Sequence, residues 1–338
     1  MNAMTTQRGV DSASLHRTRP LKVGYALPET EFRRGPAVAR WTELRAMAER
    51  AEAVGFDSLW AVDRLLFPGG DEFIGFTIEE THGGWEAWSL MAALAAVTTR
   101  VELGQMVTNN LFRNPALLAK MADTVDEISG GRLILSLGAG DGGGDAAMFG
   151  FATDNRVARF EEALQIITGL LRNGHVDFDG TYYRVRNGEL RPRGPRAEGP
   201  PILIGSQLGP RMLRLVAEYA DQWNTFLPMQ PEEVATTLEP LDAALAEIGR
   251  DPATLGRNLL LSVDLPGPRQ HPPSTAYGVS RAEEIEAGTV LTGEPAVIAD
   301  QLRAYARAGI SHVIVHLEPD TVEGIEAFAP VLELLDGG

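Results

Sequence analysis

The sequence predicts an α/β chain closed as a (β/α)8 TIM barrel, with loop insertions at the C-terminal face of the strands. Three observations lead there. Short continuous apolar runs alternate with amphipathic stretches eight times along the chain. Such runs suit strands buried on both faces of a parallel sheet. Gly55, Gly130 and Gly309 stand where helices should stop, and Pro115, Pro231 and Pro295 where they should start. Eight strand–helix pairs favour a closed barrel over an open sheet.

In chain order, Leu21–Leu27 is the first strand, and it leads to a helix over Val38–Val54 that Gly55 closes. Ser58–Val62 leads to Trp85–Val97. Val101–Val107 leads to Pro115–Ile128, opened by its proline and closed by Gly130. Leu133–Leu137 leads to a helix near Asn155–Leu171, and Ile202–Ile204 to Arg211–Glu218. Asp221–Phe226 then leads to Pro231–Ile248, and Leu259–Val263 to Pro295–Ala308, which ends at Gly309. His312–Leu317 and Val322–Leu335 complete the set.

Three stretches depart from the alternation. Residues 174–200 read as a small hairpin and a Pro/Gly/Arg connector, and residues 264–293 as a long polar excursion after the seventh strand. Residues 65–84 form an aromatic, glycine-rich loop between the second strand and its helix. Loops this long in a compact fold usually serve function, so all three insertions are expected near the active face. Phe67, Phe73, Phe76 and Trp85 then either line a partly apolar pocket or only pack the loop down. Residues 1–19 lack the apolar core of an export signal and read as a disordered tail. Residues 20–338 are expected to form one domain.

Composition excludes several classes. Acidic residues number 46 against 30 basic ones, a net charge of −16, and no Lys/Arg cluster offsets it. Nucleic acid and anionic membranes are therefore poor partners. There is no cysteine, so disulfides and thiolate metal sites are ruled out. The most apolar stretch, Trp85–Val97, carries Glu86 and falls well short of the roughly 20 residues of a membrane span. A cytoplasmic location is the expectation. The two lysines, Lys22 and Lys120, fall at a strand start and mid-helix, which argues against Schiff-base chemistry. The histidines His16, His82, His175, His271, His312 and His316 show no metal-ligand spacing, so no metal is expected.

Four clusters are candidates for ligand contact. Gly138-Ala139-Gly140-Asp141-Gly142-Gly143 matches GxGxxG, yet it follows the fourth strand, with Met148-Phe149-Gly150 read as intervening before any helix. It can be a dinucleotide turn, a flexible turn, or a place where backbone N–H groups approach a phosphate or polyol. Gly205-Ser206-Gln207-Leu208-Gly209-Pro210-Arg211 is a second glycine turn that opens a helix. It suits a phosphate, or is an ordinary strand-to-helix turn. Thr108-Asn109-Asn110 ends the third strand beside Met106 and Val107, either facing a ring edge or forming an Asx-turn. Asp63-Arg64 ends the second strand, as a structural ion pair or a catalytic one. With nucleophile and metal motifs missing, hydride or oxygen chemistry on a bound organic cofactor is the enzymatic reading left.

The chain resembles the bacterial luciferase-like superfamily of flavin- and deazaflavin-dependent oxidoreductases over about residues 21–336. The blocks that carry the resemblance are GFDSLWAVD (55–63), LGQMVTNNLFRNPALLAKMADTVDEISGGRLILSLGAGD (103–141), PPILIGSQLGPRMLRLVAEYADQWN (200–224) and TGEPAVIADQLRAYARAGISHVIV (292–315). VTN at 107–109 and GAGD at 138–141 are most similar to the coenzyme F420 branch that holds methylenetetrahydromethanopterin reductase.

The resemblance implies a non-prolyl cis peptide at Met106–Val107 behind the central ring of the cofactor, with Thr108 and Asn109 meeting the ring system. It places Gly138, Ala139, Gly140 and Asp141 along the ribityl chain, and Gly205 to Arg211 (with Ser206, Gln207, Gly209 and Pro210) at the phosphate. Asn224 borders the site, and Asp63 is a cofactor or substrate contact. Several relatives carry Asp-His where this chain has Asp63-Arg64. An arginine cannot act as a base near neutral pH, so the proton role moves elsewhere or is unnecessary, and Arg64 could bind a substrate anion instead.

The expected activity is hydride transfer between F420 and a small organic substrate. The alternatives are an FMN-dependent monooxygenase and a non-catalytic flavin or deazaflavin carrier. F420 brings a phosphate and an oligoglutamate tail to an acidic protein, a charge that Arg156, Arg159 and Arg211 could offset. A homodimer follows from the resemblance alone.

Overall fold

The computed structural model describes residues 19–31, 38–73, 76–225, 229–266 and 290–337. Eight parallel strands form a ring: β1 (Lys22–Ala26), β2 (Ser58–Ala61), β3 (Glu102–Gln105, resumed at Thr108–Asn109), β4 (Leu135–Gly138), β5 (Ile202–Gly205), β6 (Gln222–Thr225), β7 (Gly256–Asp264) and β8 (His312–Glu318). Each strand pairs with its sequence neighbours, and β1 with β8. The two halves of β3 divide the work. The first pairs with β2 and the second with β4, while a Leu103–Leu133 bridge joins β3 to the approach of β4. A short strand, Val290–Thr292, runs beside the end of β7.

A helix follows every strand: α1 (Trp41–Val54), α2 (Ala87–Val97), α3 (Pro115–Ser129), α4 (Arg156–Thr168), α5 (Pro210–Tyr219), α6 (Pro231–Glu247), α7 (Pro295–Arg307) and α8 (Val322–Asp336). The punctuation acts as read. Gly55 and Gly130 take left-handed φ values of 114° and 70° that end α1 and α3. Asn114 caps α3 by accepting from Ala116 N at 2.9 Å, one residue ahead of Pro115. No helix among the described residues is long and apolar enough to cross a membrane.

Alternation along the strands creates two apolar layers. Leu59, Leu103, Leu135, Leu137, Val313 and Val315 face the helices in the main core, at roughly 1.5–3 kcal/mol for each fully buried side chain. Ala26, Trp60, Ile134, Leu203 and Ile314 fill the inside of the barrel, with Met106, Val107 and Leu260 packed on them. Trp60 sets this inner layer. Its indole lies against Gly24 and Gly104 so closely that a Cβ at either position would meet the ring.

The same indole donates from Nε1 to Ser58 Oγ at 2.7 Å, and Ser58 Oγ lies 2.8 Å from His312 Nε2. Ser58 Oγ thus accepts from Trp60 and also bonds the imidazole, so His312 is held in a polar contact deep in the barrel. Burial pushes His312 down to about 3 from an ordinary 6.5, with Lys22 adding to the effect. The unfolded chain therefore binds a proton that the native chain refuses. This contribution is complete above pH 6.5 and is lost as pH falls towards 3, at about 1.4 kcal/mol per pH unit. Urea midpoints at pH 7.5, 5.5 and 4.5 should fall more steeply for the parent than for His312→Gln. Parallel slopes would contradict the assignment.

Several expectations need correction. Arg19 is no part of a loose tail. Its guanidinium, 3% exposed, bonds Asp57 at 3.1 Å and Asp336 at 2.7 Å, tying the entry to β1 onto α8. Residues 1–18 and 267–289, which hold the rest of the tail and most of the 264–293 excursion, lie outside the described residues. A short helix, Gly144–Met148, starts straight after the first glycine turn, where none was expected before Gly150. Five residues carry too little periodicity to be read from sequence.

The 174–200 insertion does contain a hairpin, His175–Asp179 with Arg184–Glu189. It does not lie wholly at the active face. As an α-to-β connection it begins at the opposite end, and its remainder packs on α3, where Asp123 accepts from Gly194 N and Asp126 pairs with Arg196. The hairpin turn instead packs on the middle of α4, where Glu162 accepts from Thr181, Tyr182 and Tyr183 N.

Candidate active site

The break in β3 organises the carboxyl end of the barrel. The Met106–Val107 peptide is cis, as the resemblance implied, and Val107 projects between two neighbouring strands. A Cβ on Gly138 of β4 would stand 2.5 Å from Val107 Cγ2, and one on Gly205 of β5 2.8 Å from Cγ1. Both glycine turns therefore start against the same side chain, and glycine is required at both starts because Val107 fills the space. Three motifs separated by up to about a hundred residues of sequence become one surface.

Asn109 continues that surface. Its Oδ1 accepts from Leu111 N at 3.0 Å, and a Cβ on Gly140 would come within 2.6 Å of it. Gly140 holds a φ of 81°, in the left-handed region that suits glycine. Thr108 does not share this side. It is fully buried and registers with Leu137, which packs toward the helices, so its side chain points away from the barrel interior. Strand alternation therefore leaves Thr108 its backbone as the part that faces a ligand, while the Asn109 side chain, accepting from Leu111 N, forms the Asx-turn that the sequence also allowed.

Asp63 and Arg64 do not pair with each other. Asp63, 3% exposed, takes both nitrogens of Arg113 at 2.6 and 3.0 Å and accepts from Asn109 N at 2.9 Å. It fixes the turn after β3. Burial pushes its carboxyl up, and the Arg113 charge pulls against that. Arg113 also reaches Glu86 Oε1 at 2.6 Å. Arg64 bonds Asp141 at 3.0 Å and Asp145 at 3.4 Å, with its guanidinium 5.0 Å from the centre of the Phe67 ring. Two carboxylates thus already flank Arg64, which weighs against its reading as a receptor for a substrate anion.

Arg64 clips the loop after β2 to the loop after β4. Asp145, fully buried, also accepts from Leu65 N at 3.2 Å, and Asp71 accepts from Gly144 N at 2.5 Å. Gly143 presses against the Arg64 guanidinium, leaving no room for a side chain. Phe67 is buried under Arg64, whereas Trp85 is 40% exposed and donates to Ala39 O at 2.8 Å. The side chains of Phe73 and Phe76 lie outside the described residues.

The second glycine turn is held by its neighbours. Ser206 N donates to Asn224 O at 3.0 Å, Trp223 Nε1 to Ser206 O at 3.1 Å, and Leu208 N to Ser206 Oγ at 3.0 Å. Gln207, Gly209 and Pro210 are exposed, and no atom lies within 4 Å of where a Gly209 Cβ would be. At the start of α5, Pro210 has no N–H, and the Arg211 and Met212 N–H groups have no intrahelical acceptor. Arg211 turns outward to Glu161, bonding Oε2 through Nε at 2.9 Å, so the turn offers backbone and not this guanidinium. Asn224 is 5% exposed, in register with Gly205.

Sequence reasoning missed Glu29 and His316. Glu29, 1% exposed, follows β1 and accepts from Val62 N at 2.5 Å. His316, 8% exposed, lies two residues beyond Ile314 on the inner face of β8. Their only signal was position, a polar residue at or after a strand's carboxyl end. Arg113 was missed as well, since nothing in Phe112-Arg113-Asn114 marks a partner fifty residues away.

The sequence model of the luciferase-like monooxygenase family matches residues 21–264. The chain belongs to that family. The phthiodiolone/phenolphthiodiolone dimycocerosates ketoreductase of Mycobacterium tuberculosis is 32% identical over 222 residues, 62% of this chain and 58% of that protein. The 5,10-methylenetetrahydromethanopterin reductase of Archaeoglobus fulgidus is 31% identical over 211 residues, 62% of this chain and 57% of its own. The chain thus matches less than two thirds of either relative's length. An F420-dependent secondary alcohol dehydrogenase, solved with an F420–acetone adduct, superposes with a TM-score of 0.75 at 20% identity, over 93% of this chain and 99% of that one. At that identity the likeness is one of fold, and it is the barrel seen here.

Proposed function

We propose that the chain is an oxidoreductase that transfers a hydride between coenzyme F420 and the carbonyl carbon of a small organic substrate, interconverting a ketone and a secondary alcohol. The observation that carries this is the convergence of two glycine turns on the cis Met106–Val107 unit at the carboxyl end of the barrel. The names of the relatives, a ketoreductase and a pterin reductase, support the reaction class, and the alcohol dehydrogenase fold supports the cofactor. A small-molecule substrate, a homodimer and a cytoplasmic location belong to the same proposal.

The residues fit such a group. Met106 and Val107 present an apolar wall, and Asn109 with the Thr108 backbone offers donors and acceptors beside it. Gly138–Asp141 gives a side-chain-poor track for a polyol, while Ser206–Gly209 and the α5 amides suit a phosphate. When bound, the deazaflavin supplies the carbon that gives or takes the hydride. The protein's part is to orient the substrate against it and exclude water. Ketone reduction also needs a proton at the alkoxide oxygen. Arg64 cannot give one, being permanently charged and tied to Asp141 and Asp145. Among the described residues, Glu29 and His316 are two buried titratable groups at the carboxyl ends of β1 and β8, and we assign the proton role to one of them.

The family's own description favours a second reading, an FMN-dependent monooxygenase. Fluorescence titration separates the two. F420 should bind with its emission quenched while FMN binds at least about tenfold more weakly, a difference of 1.4 kcal/mol. Tight FMN binding with no affinity for F420 would replace the first reading with the second. Binding of F420 without oxidation of its reduced form by any ketone or pterin tried would indicate a carrier.

A further inference from the structure

Beside the barrel mouth, between the turn after β3 and the start of α4, lies a cavity of about 210 Å³. Leu111, Phe112 and Phe151 form its apolar wall, and Asn114, Arg159 and Tyr183 its polar one. It is close to the first glycine turn, since a Cβ on Gly140 would come within 3.0 Å of Leu111 Cδ1. One leucine side chain separates the track assigned to the polyol from the cavity.

The cations around it differ in their engagement. Arg113, which also lines the cavity, already holds Asp63 and Glu86. Arg159 pairs with Asp154, whose side chain is 58% exposed, at 3.0 Å, and its guanidinium rests 4.6 Å from the centre of the Tyr182 ring. The Arg159 side chain is only 19% exposed and its partner carboxylate stands open to solvent, so an incoming, better-shielded carboxylate can take the place of Asp154. The Tyr183 hydroxyl lies beside Arg159, and burial pushes it up, so it remains protonated and able to donate. Arg156, one helical turn before Arg159, bonds the Gly140 carbonyl through Nη1. The two arginines form a cationic row from the glycine turn to the cavity, in a chain whose net charge is −16.

A short methylene segment ending in a carboxylate matches this lining, with apolar walls, one displaceable guanidinium and one phenol. Both a substrate acid and the glutamyl tail of F420 have that chemistry. We propose that the cavity seats a tail carboxylate of F420 and thereby sets preference for F420 over FMN, which has no such tail. The inference rests on the F420 reading above and names the residues that would enforce it.

The test compares F420 bearing two or more glutamyl units with the tail-less form, F420-0, by fluorescence titration on the full chain. The tailed form should bind about tenfold more tightly, as expected for one charge-assisted hydrogen-bonded contact, and the gap should narrow at high salt. Arg159→Met should abolish the gap while leaving affinity for F420-0 unchanged, which also shows that the variant is folded. Arg159→Lys should restore part of it. Equal binding of the two forms by the parent, or equal weakening of both by Arg159→Met, would overturn the assignment and leave the F420 reading standing. So would a raised substrate KM with the tail preference intact, which would give the cavity to a substrate carboxylate. Binding of neither form would overturn both proposals.

Discussion

Arg113→Met is expected to destabilise the protein by about 3–5 kcal/mol, the usual cost of removing one member of a buried ion pair. The guanidinium bonds both oxygens of Asp63 and continues to Glu86. Asp63 sits 3% exposed where burial opposes its charge. Without Arg113 it must either stay ionised with no counter-charge or protonate, in which case the Asn109 N–H loses its ionised acceptor. Urea unfolding at neutral pH measures the loss. Arg113→Met combined with Asp63→Asn should recover part of it, because the uncompensated charge is then gone. A single-variant loss below about 1 kcal/mol would mean that the pair behaves like an exposed bridge.

The second large effect is expected at Gly138→Ala. The new Cβ would stand 2.5 Å from Val107 Cγ2, so the valine or the turn has to shift. Overpacking of this kind typically costs about 1–3 kcal/mol. Taken wholly from the binding-competent arrangement, that equals about a 5- to 150-fold loss of cofactor affinity. Removing the opposing methyls in Gly138→Ala with Val107→Ala should return most of it. The dissociation constants of parent, single and double variants are the readout. An unchanged constant for Gly138→Ala would show that Val107 yields without consequence and is no fixed wall of the site.

The barrel was legible in the sequence because its local signals agree. Runs such as Leu133–Leu137 and His312–Leu317 are short and apolar, and Gly55, Gly130 and Pro115 mark helix ends where the structure has them. The glycine turns and the Met106–Val107 step were legible from resemblance, and the structure brings them together around Val107. What could not be read depends on the third dimension. Asp63 was placed next to Arg64 by sequence adjacency, but successive residues at a strand end diverge. The first finds Arg113 fifty positions away and the second finds Asp141 and Asp145. Arg211 was set beside a phosphate because it follows Gly209-Pro210, yet helix geometry turns it toward Glu161 on α4. Thr108 fell to the outer layer by strand alternation. The composition of 174–200 gave a hairpin correctly but held no information on which end of the barrel it would occupy.

The indole of Trp60, wedged against Gly24 and Gly104, has a kinetic corollary. It stoppers the far end, which makes the barrel a cup and not a conduit. Coenzyme and reactant have to share one doorway, and whichever docks deeper must arrive first and depart last. Compulsory order of this kind is expected in the steady state as direct competition between the two forms of whichever ligand binds first and leaves last, and mixed inhibition by the product of the other.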